Sequence, residues 1–180
     1  MIATIKIVLL LLLVLMATIT DVRRHKIYNW TMYPGIVLGF ILNALEQVSQ
    51  GETIGAGLVV SLEGFLACGL MMLVCFVFFD VGGGDVKLIA MFGAFLGLPD
   101  GIEALLWTFV LSSIVGAAIL IWQIGFLRIV SRTVQHLFLV LRARSWIPLT
   151  EDERQPLRRW LFLAPSAFAA ICIVASDIFG

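Results

Sequence analysis

The chain has 180 residues, 61% of them hydrophobic and 13% charged, with a mean hydropathy of +1.07. A soluble domain averages roughly 45–50% apolar and about 25% charged residues, so an ordinary soluble fold is excluded and an integral membrane protein is indicated. The net charge is zero, which argues against a nucleic-acid partner and makes the placement of charge more informative than its sum.

Six apolar stretches predict an all-α fold in a single polytopic domain, 1–180. A span needs roughly 20 apolar residues. The first candidate, 2–20, is read as a span rather than a cleaved signal. It is long enough to cross, its only basic residue is Lys6, and no small-x-small site precedes Asp21. The others are 31–45, 54–79, 86–98 (short), 102–127 and 161–179.

With the N-terminus outside, the cytoplasmic connections are 21–30, 80–87 and 128–160, and they hold eleven of the twelve Lys and Arg residues. The opposite connections hold Glu46, Glu52, Asp100 and Glu103 and no basic residue. That asymmetry predicts the orientation. Between 128 and 147, Arg128, Arg132, Gln135 and His136 alternate at helical spacing with Val130, Val134, Leu137, Phe138 and Leu141. The pattern predicts a helix lying in the cytoplasmic interface against anionic head groups, or else an extension of the fifth span.

Several residues carry mainly structural expectations. Cys68, Cys75 and Cys172 all lie in apolar runs with no CxxC, which predicts buried, inert thiols and no zinc site. Gly35, Gly39, Gly93 and Gly97 recur at a spacing that lets helices approach closely in lipid. Asn29 is placed to cap the second helix. His25 reads as a solvated loop residue, and Glu63, inside the third span, as an acid hydrogen-bonded to a neighbouring helix.

The chemistry concentrates in Phe78-Phe79-Asp80-Val81-Gly82-Gly83-Gly84-Asp85-Val86-Lys87-Leu88. Three adjacent glycines disfavour a helix interior and predict a sharp break between the third and fourth helices. Asp85 then falls at the start of the fourth helix, where free N–H groups and the dipole favour a negative charge. Asp21 closes the first span at the same predicted membrane face. Alone, either acid could be a simple helix-end residue. Together, two neighbouring carboxylates titrate as a unit, and one can activate a water while the other protonates a leaving amine. Asp80 is a weaker candidate for the same pair. Lys87 is placed either to bias Asp85, to meet a substrate carboxylate, or to snorkel at the interface.

Asp21-x5-Ile27-x-Asn29 followed by Gly82-x-Gly84-Asp85-Val86-Lys87-Leu88 resembles the GxGD membrane aspartyl proteases. More narrowly it is similar to the type IV prepilin peptidase family, in the short CpaA/TadV-like form that serves Tad/Flp pili. Ala164-Pro165-Ser166-Ala167 also resembles that family's final-helix motif. The resemblance implies a bacterial inner-membrane endopeptidase that removes the leader of prepilin or pseudopilin precursors at the cytoplasmic face. It implies Asp21 and Asp85 as the catalytic pair, no metal or other cofactor, and other pilus assembly proteins as partners. Gly82, Gly83, Gly84 and Lys87 would serve the backbone break and the substrate. Tyr28 stands where members usually carry proline. Without a CxxC motif, the methyltransferase activity of longer members is not implied.

Overall fold

The structure, a computed structural model, describes residues 2–24, 29–79, 82–124 and 163–179. Among these residues every regular element is an α-helix: α1 (Ile2–Arg24), α2 (Asn29–Ser49), α3 (Ile54–Phe79), α4 (Gly83–Leu96), α5 (Leu98–Ile124) and α6 (Leu163–Phe179). Three contain stretches long and apolar enough to cross a membrane, Ile2–Arg24, Ile54–Phe78 and Leu98–Ile119. The expected interfacial helix at 128–147 lies outside the described residues, as do His25, Asp80 and His136. The chain forms two compact units, Met1–Leu111 with Phe162–Gly180, and Ser112–Leu161. The first of these holds both Asp21 and Asp85.

α4 is the centre of this unit. Every residue from Leu88 to Gly97 is buried, and α4 packs against α3, α2, α1 and α6. A helix apolar on all sides must be enclosed in this way or face lipid. The enclosure depends on glycine. A Cβ on Gly93 would lie 2.0 Å from the Gly64 carbonyl oxygen, and one on Gly64 would lie 2.2 Å from that of Gly93, so α3 and α4 touch backbone to backbone. Gly39 and Gly35 bring α2 against Ala94 and Met91 of the same helix. All four glycines expected to mediate packing do so, Gly97 lying against Gly64 and Val60 of α3, while Gly64 and Gly57 of α3 were not anticipated.

Gly97 has a second task. Its φ is 81°, in the left-handed region, and its N–H donates to the Gly93 carbonyl at 2.9 Å, ending α4. α5 begins at once with Leu98 and Pro99. Proline is well suited to a first helical turn, where its missing N–H costs no hydrogen bond. The expected boundaries of 98 and 102 are corrected accordingly. α1 likewise continues one turn past the expected Thr20, which sets Asp21 inside its last turn.

The C-terminal carbonyls of α4 need donors that lipid cannot provide. Asn43 of α2, 3% exposed, supplies them. Its Nδ2 donates to Ala94 O at 2.8 Å, Phe95 O at 3.2 Å and Ser61 Oγ at 2.8 Å. Its Oδ1 accepts from Lys6 Nζ at 3.0 Å, and Lys6 in turn pairs with Glu46 at 2.5 Å. Lys6, the one basic residue outside the predicted cytoplasmic connections, is thereby neutralised within the bundle.

The thiol expectation needs correction. Cys68 is buried, Cys75 only partly so, and Cys172 is exposed. Glu63 is corrected too: it is exposed on α3 rather than bonded to a neighbouring helix of the described residues. Charge and helix phase explain this, because Ser61, Gly64 and Cys68 occupy the buried side of α3.

Candidate active site

The buried residues of α1 are Ile7, Leu10, Val14 and Ala17. Their spacing of three and four residues defines one helix face. Asp21, four residues after Ala17, continues that face and is partly buried. The same stripe that packs α1 into the bundle thus carries a carboxyl group to its end.

Asp85 arrives from α4. Gly82 is the N-cap, with φ −67° and ψ 137°, and Gly83 and Gly84 form the first helical positions. The expected break is therefore narrower than the glycine run: Gly82 lies outside the helix, whereas Gly83 and Gly84 lie within it. Asp85 occupies the third helical position, and its own N–H donates to Gly82 O at 3.0 Å. Its carboxylate folds back and accepts a hydrogen bond from the Gly82 backbone N–H. This is the reciprocal half of a capping box, with aspartate in the role usually held by Glu or Gln. Any side chain at 82 would intrude, because a Cβ there would lie 2.9 Å from Asp85 Oδ2. Position 83 is more permissive, with Phe76 Cε2 the nearest atom at 3.9 Å.

Asp85 lies outside the three helices able to span a membrane. Burial first, and then the negative charge of Asp21, push its pKa up from 3.8 to about 7, against the opposing influence of the Gly82 N–H. Residues 64 positions apart in the chain are thus electrostatically coupled, where α1 and α4 pack. Burial and a like charge each disfavour ionisation, and together they outweigh one backbone hydrogen bond.

Two further groups flank this region. Lys87 sets its Nζ 5.1 Å from the centre of the Tyr33 ring of α2, a cation–π distance. Ala164, in the first turn of α6, presents its carbonyl oxygen 3.1 Å from Thr18 Oγ, one turn before Asp21. Ala164, Ser166 and Ala167 are buried. The Ala-Pro-Ser-Ala stretch therefore docks on the segment of α1 that carries Asp21, which its sequence position did not predict. The Asn29 side chain lies outside what is described. Among the described residues, no three His, Cys, Asp or Glu side chains cluster to hold a metal ion.

The chain matches the type IV leader peptidase family over residues 7–121, more than half of its length and including both Asp21 and Asp85. Neither curated proteins nor solved structures yield a match to this chain.

Proposed function

We propose that this chain, which belongs to the type IV leader peptidase family, is an aspartic endopeptidase of the GxGD class that cleaves the leaders of Tad/Flp-type prepilins at the cytoplasmic face of a bacterial inner membrane. The burial of Asp85 and its coupling with Asp21, which together raise its pKa to about 7, are the observation that carries the reading. A dyad of this kind retains one shared proton at the pH where it works.

In the proposed cycle a water sits between the two carboxyl groups. The ionised Asp21 removes a proton from the water as its oxygen bonds to the scissile carbonyl carbon. Asp85 gives its proton to the carbonyl oxygen, forming a neutral tetrahedral intermediate. Collapse of the intermediate breaks the C–N bond. The proton now on Asp21 goes to the departing nitrogen, and the intermediate's hydroxyl proton returns to Asp85. The products are a leader carboxylate and a free amine on the mature pilin, once the new acid ionises.

The substrate helix must unwind first, because a helical carbonyl is occupied by its own hydrogen bond. α4, with 14 residues, is about 21 Å long and falls short of the roughly 30 Å hydrocarbon layer. That shortfall supports a recess in which an extended segment meets water and the dyad together. The bare Gly82, outside the helix and exposed, leaves backbone accessible beside it. Lys87, held against Tyr33, is suited to an anionic group of the substrate.

An ion transporter using Glu63 with the aspartates is not favoured, because Glu63 lies on the outward side of α3, away from the face that packs on α4. The deciding experiment co-expresses the chain with a Tad/Flp prepilin and follows the leader by gel shift. Asp21→Asn and Asp85→Asn should each abolish processing at unchanged membrane levels. Full processing by the double variant would end the proposal.

A further inference from the structure

The two carboxyl groups of the proposed dyad stand on helices that touch only lightly. α1 packs mainly on α6 and α2, and α4 mainly on α3 and α2. α2 is the helix common to both, and its Gly35 faces Met91 of α4 and Leu13 of α1. Apolar contacts of this kind set the distance between helices better than their relative height. A small slide exchanges one apolar neighbour for another, and lipid tails are as apolar as either.

Polar groups fix the height instead. Asn43 and Glu46 of α2 are three residues apart and share a helix face. Both accept from the Lys6 ammonium of α1, Asn43 Oδ1 at 3.0 Å and Glu46 Oε2 at 2.5 Å. Asn43 Nδ2 donates at the same time to Ala94 O and Phe95 O, in the last turn of α4. One amide thus joins α1 to the end of α4. Lys6 and Glu46 are largely buried, 13% and 16% exposed. A buried ion pair gives up solvent around each charge and adds little net stability. A single polar contact in an apolar seam is instead a device for fixing register.

α1 and α4 run antiparallel: Lys6 is tied to the end of α4, and Asp21 acts on Asp85 at its beginning. Lys6 to Asp21 is fifteen residues of α1, and Phe95 back to Asp85 is ten of α4. At 1.5 Å per residue these are about 22 Å and about 15 Å, and the Lys6 and Asn43 side chains span the difference. A helix carries an axial shift along its whole length, so the level of Lys6 decides the level of Asp21. We propose that Lys6 is a positioning residue for the cleavage reaction: through Asn43 it fixes the height of α1 against α4, and so the separation of Asp21 from Asp85. The inference rests on the peptidase reading and deepens it. Coupling between two carboxyl groups drives their ionisations apart and weakens as they separate. A released α1 therefore brings the two ionisations closer together.

The test measures leader cleavage by the full chain in lipid nanodiscs as a function of pH. The unaltered chain should give a bell-shaped profile. Its acid limb belongs to the carboxylate that must be ionised, its alkaline limb to the carboxyl that must keep a proton. Lys6→Met cuts the tie to α1 but leaves Asn43 on the α4 carbonyls. It should lower kcat about tenfold with KM nearly unchanged, and narrow the bell by about half a pH unit or more as both limbs move inward. Lys6→Met combined with Glu46→Gln strands no charge; it should behave alike, and it keeps the test open should the single variant not fold. Lys6→Arg, long enough for both partners, should restore the width. Destabilisation alone would remove active molecules without changing the width. Cleavage by Lys6→Met with an unmoved profile, or wild-type width in the combined variant, would overturn the inference alone. No cleavage by the unaltered chain would overturn the peptidase reading and this inference with it.

Discussion

Gly82→Ala isolates the positioning of Asp85 from the folding of α4. Gly82 has φ −67° and ψ 137°, which alanine adopts without strain, so the backbone itself does not resist the change. The obstruction is the new methyl, 2.9 Å from Asp85 Oδ2, against the 3.4 Å at which ordinary contact begins. The carboxylate must retreat by about 0.5 Å, and its hydrogen bond from the Gly82 N–H lengthens or breaks. Asp85 acts in its protonated, neutral form, and a hydrogen bond to a neutral group contributes about 0.5–1.5 kcal/mol. At 1.36 kcal/mol per decade of rate, its loss predicts cleavage slowed by about two- to tenfold. That N–H favours the ionised form, so its loss should also carry the alkaline limb of the pH–rate profile upward from about 7.

Initial rates of leader removal by purified protein in lipid nanodiscs, across pH 5 to 9, give both quantities. Gly83→Ala is the control, since its methyl meets nothing nearer than 3.9 Å and replaces a helical glycine, which stabilises a helix by up to about 1 kcal/mol. It should cleave at close to the wild-type rate. Equal damage from both substitutions, or a Gly82→Ala protein with wild-type rate and an unmoved pH profile, would refute the assigned role of the back-folded carboxylate.

Three further outcomes are expected. Asp85 has a folded-state pKa of about 7 against an ordinary 3.8, so the folded chain binds its proton more tightly; that contribution to stability is complete below about pH 4 and is lost as pH rises through 7. Asp85→Asn should accordingly raise the melting temperature in detergent at pH 8 and leave it nearly unchanged at pH 4. Asn43→Ala should destabilise by about 2–4 kcal/mol by stranding the Ala94 and Phe95 carbonyls and Ser61, and Asn43→Asp, which cannot donate to those carbonyls, should not rescue it in a denaturation series. Thr18→Val should slow leader cleavage several-fold by releasing the Ala164 carbonyl beside the Asp21 segment, with Thr18→Ser restoring the rate, for a hydrogen bond of about 1 kcal/mol.

Apolar run length was enough to give α3 its observed limits, because charged or polar residues bound it on both sides. The same approach misplaced both ends of α4. Helix propensity treats Gly83 and Gly84 as breakers, but the capping bond to Asp85 and the enclosure of α4 hold them in helical form. At the other end Gly97 read only as a packing glycine, since coordinates alone reveal the positive φ by which it also ends α4. Asn43 gave no sequence signal of its importance: a lone amide in an apolar helix becomes informative only once α4's carbonyls are seen to end beside it. Asp21, by contrast, was marked by the Asp-x5-Ile-x-Asn spacing and by its place at the end of the first apolar run, whereas the packing stripe of α1 that carries it shows only in the structure. What the chain could not disclose was that α6 docks beside it, because that contact joins residues 146 positions apart.

The placement of Asp85 also decides between two opposing influences on its proton. A carboxylate at the third position of a helix is favoured by the dipole and by the capping hydrogen bond, and on an exposed helix both would lower its pKa. Here the helix is the most enclosed element of its unit, so burial acts against the charged form, and α1 delivers a second carboxyl group to the same place. The net pKa of about 7 means that enclosure and Asp21 prevail. The cap then serves mainly to fix the direction of the carboxylate. Orientation comes from the cap and proton retention from burial and Asp21, so Gly82→Ala should release the first while burial and Asp21, no longer opposed by the Gly82 N–H, hold the proton more tightly.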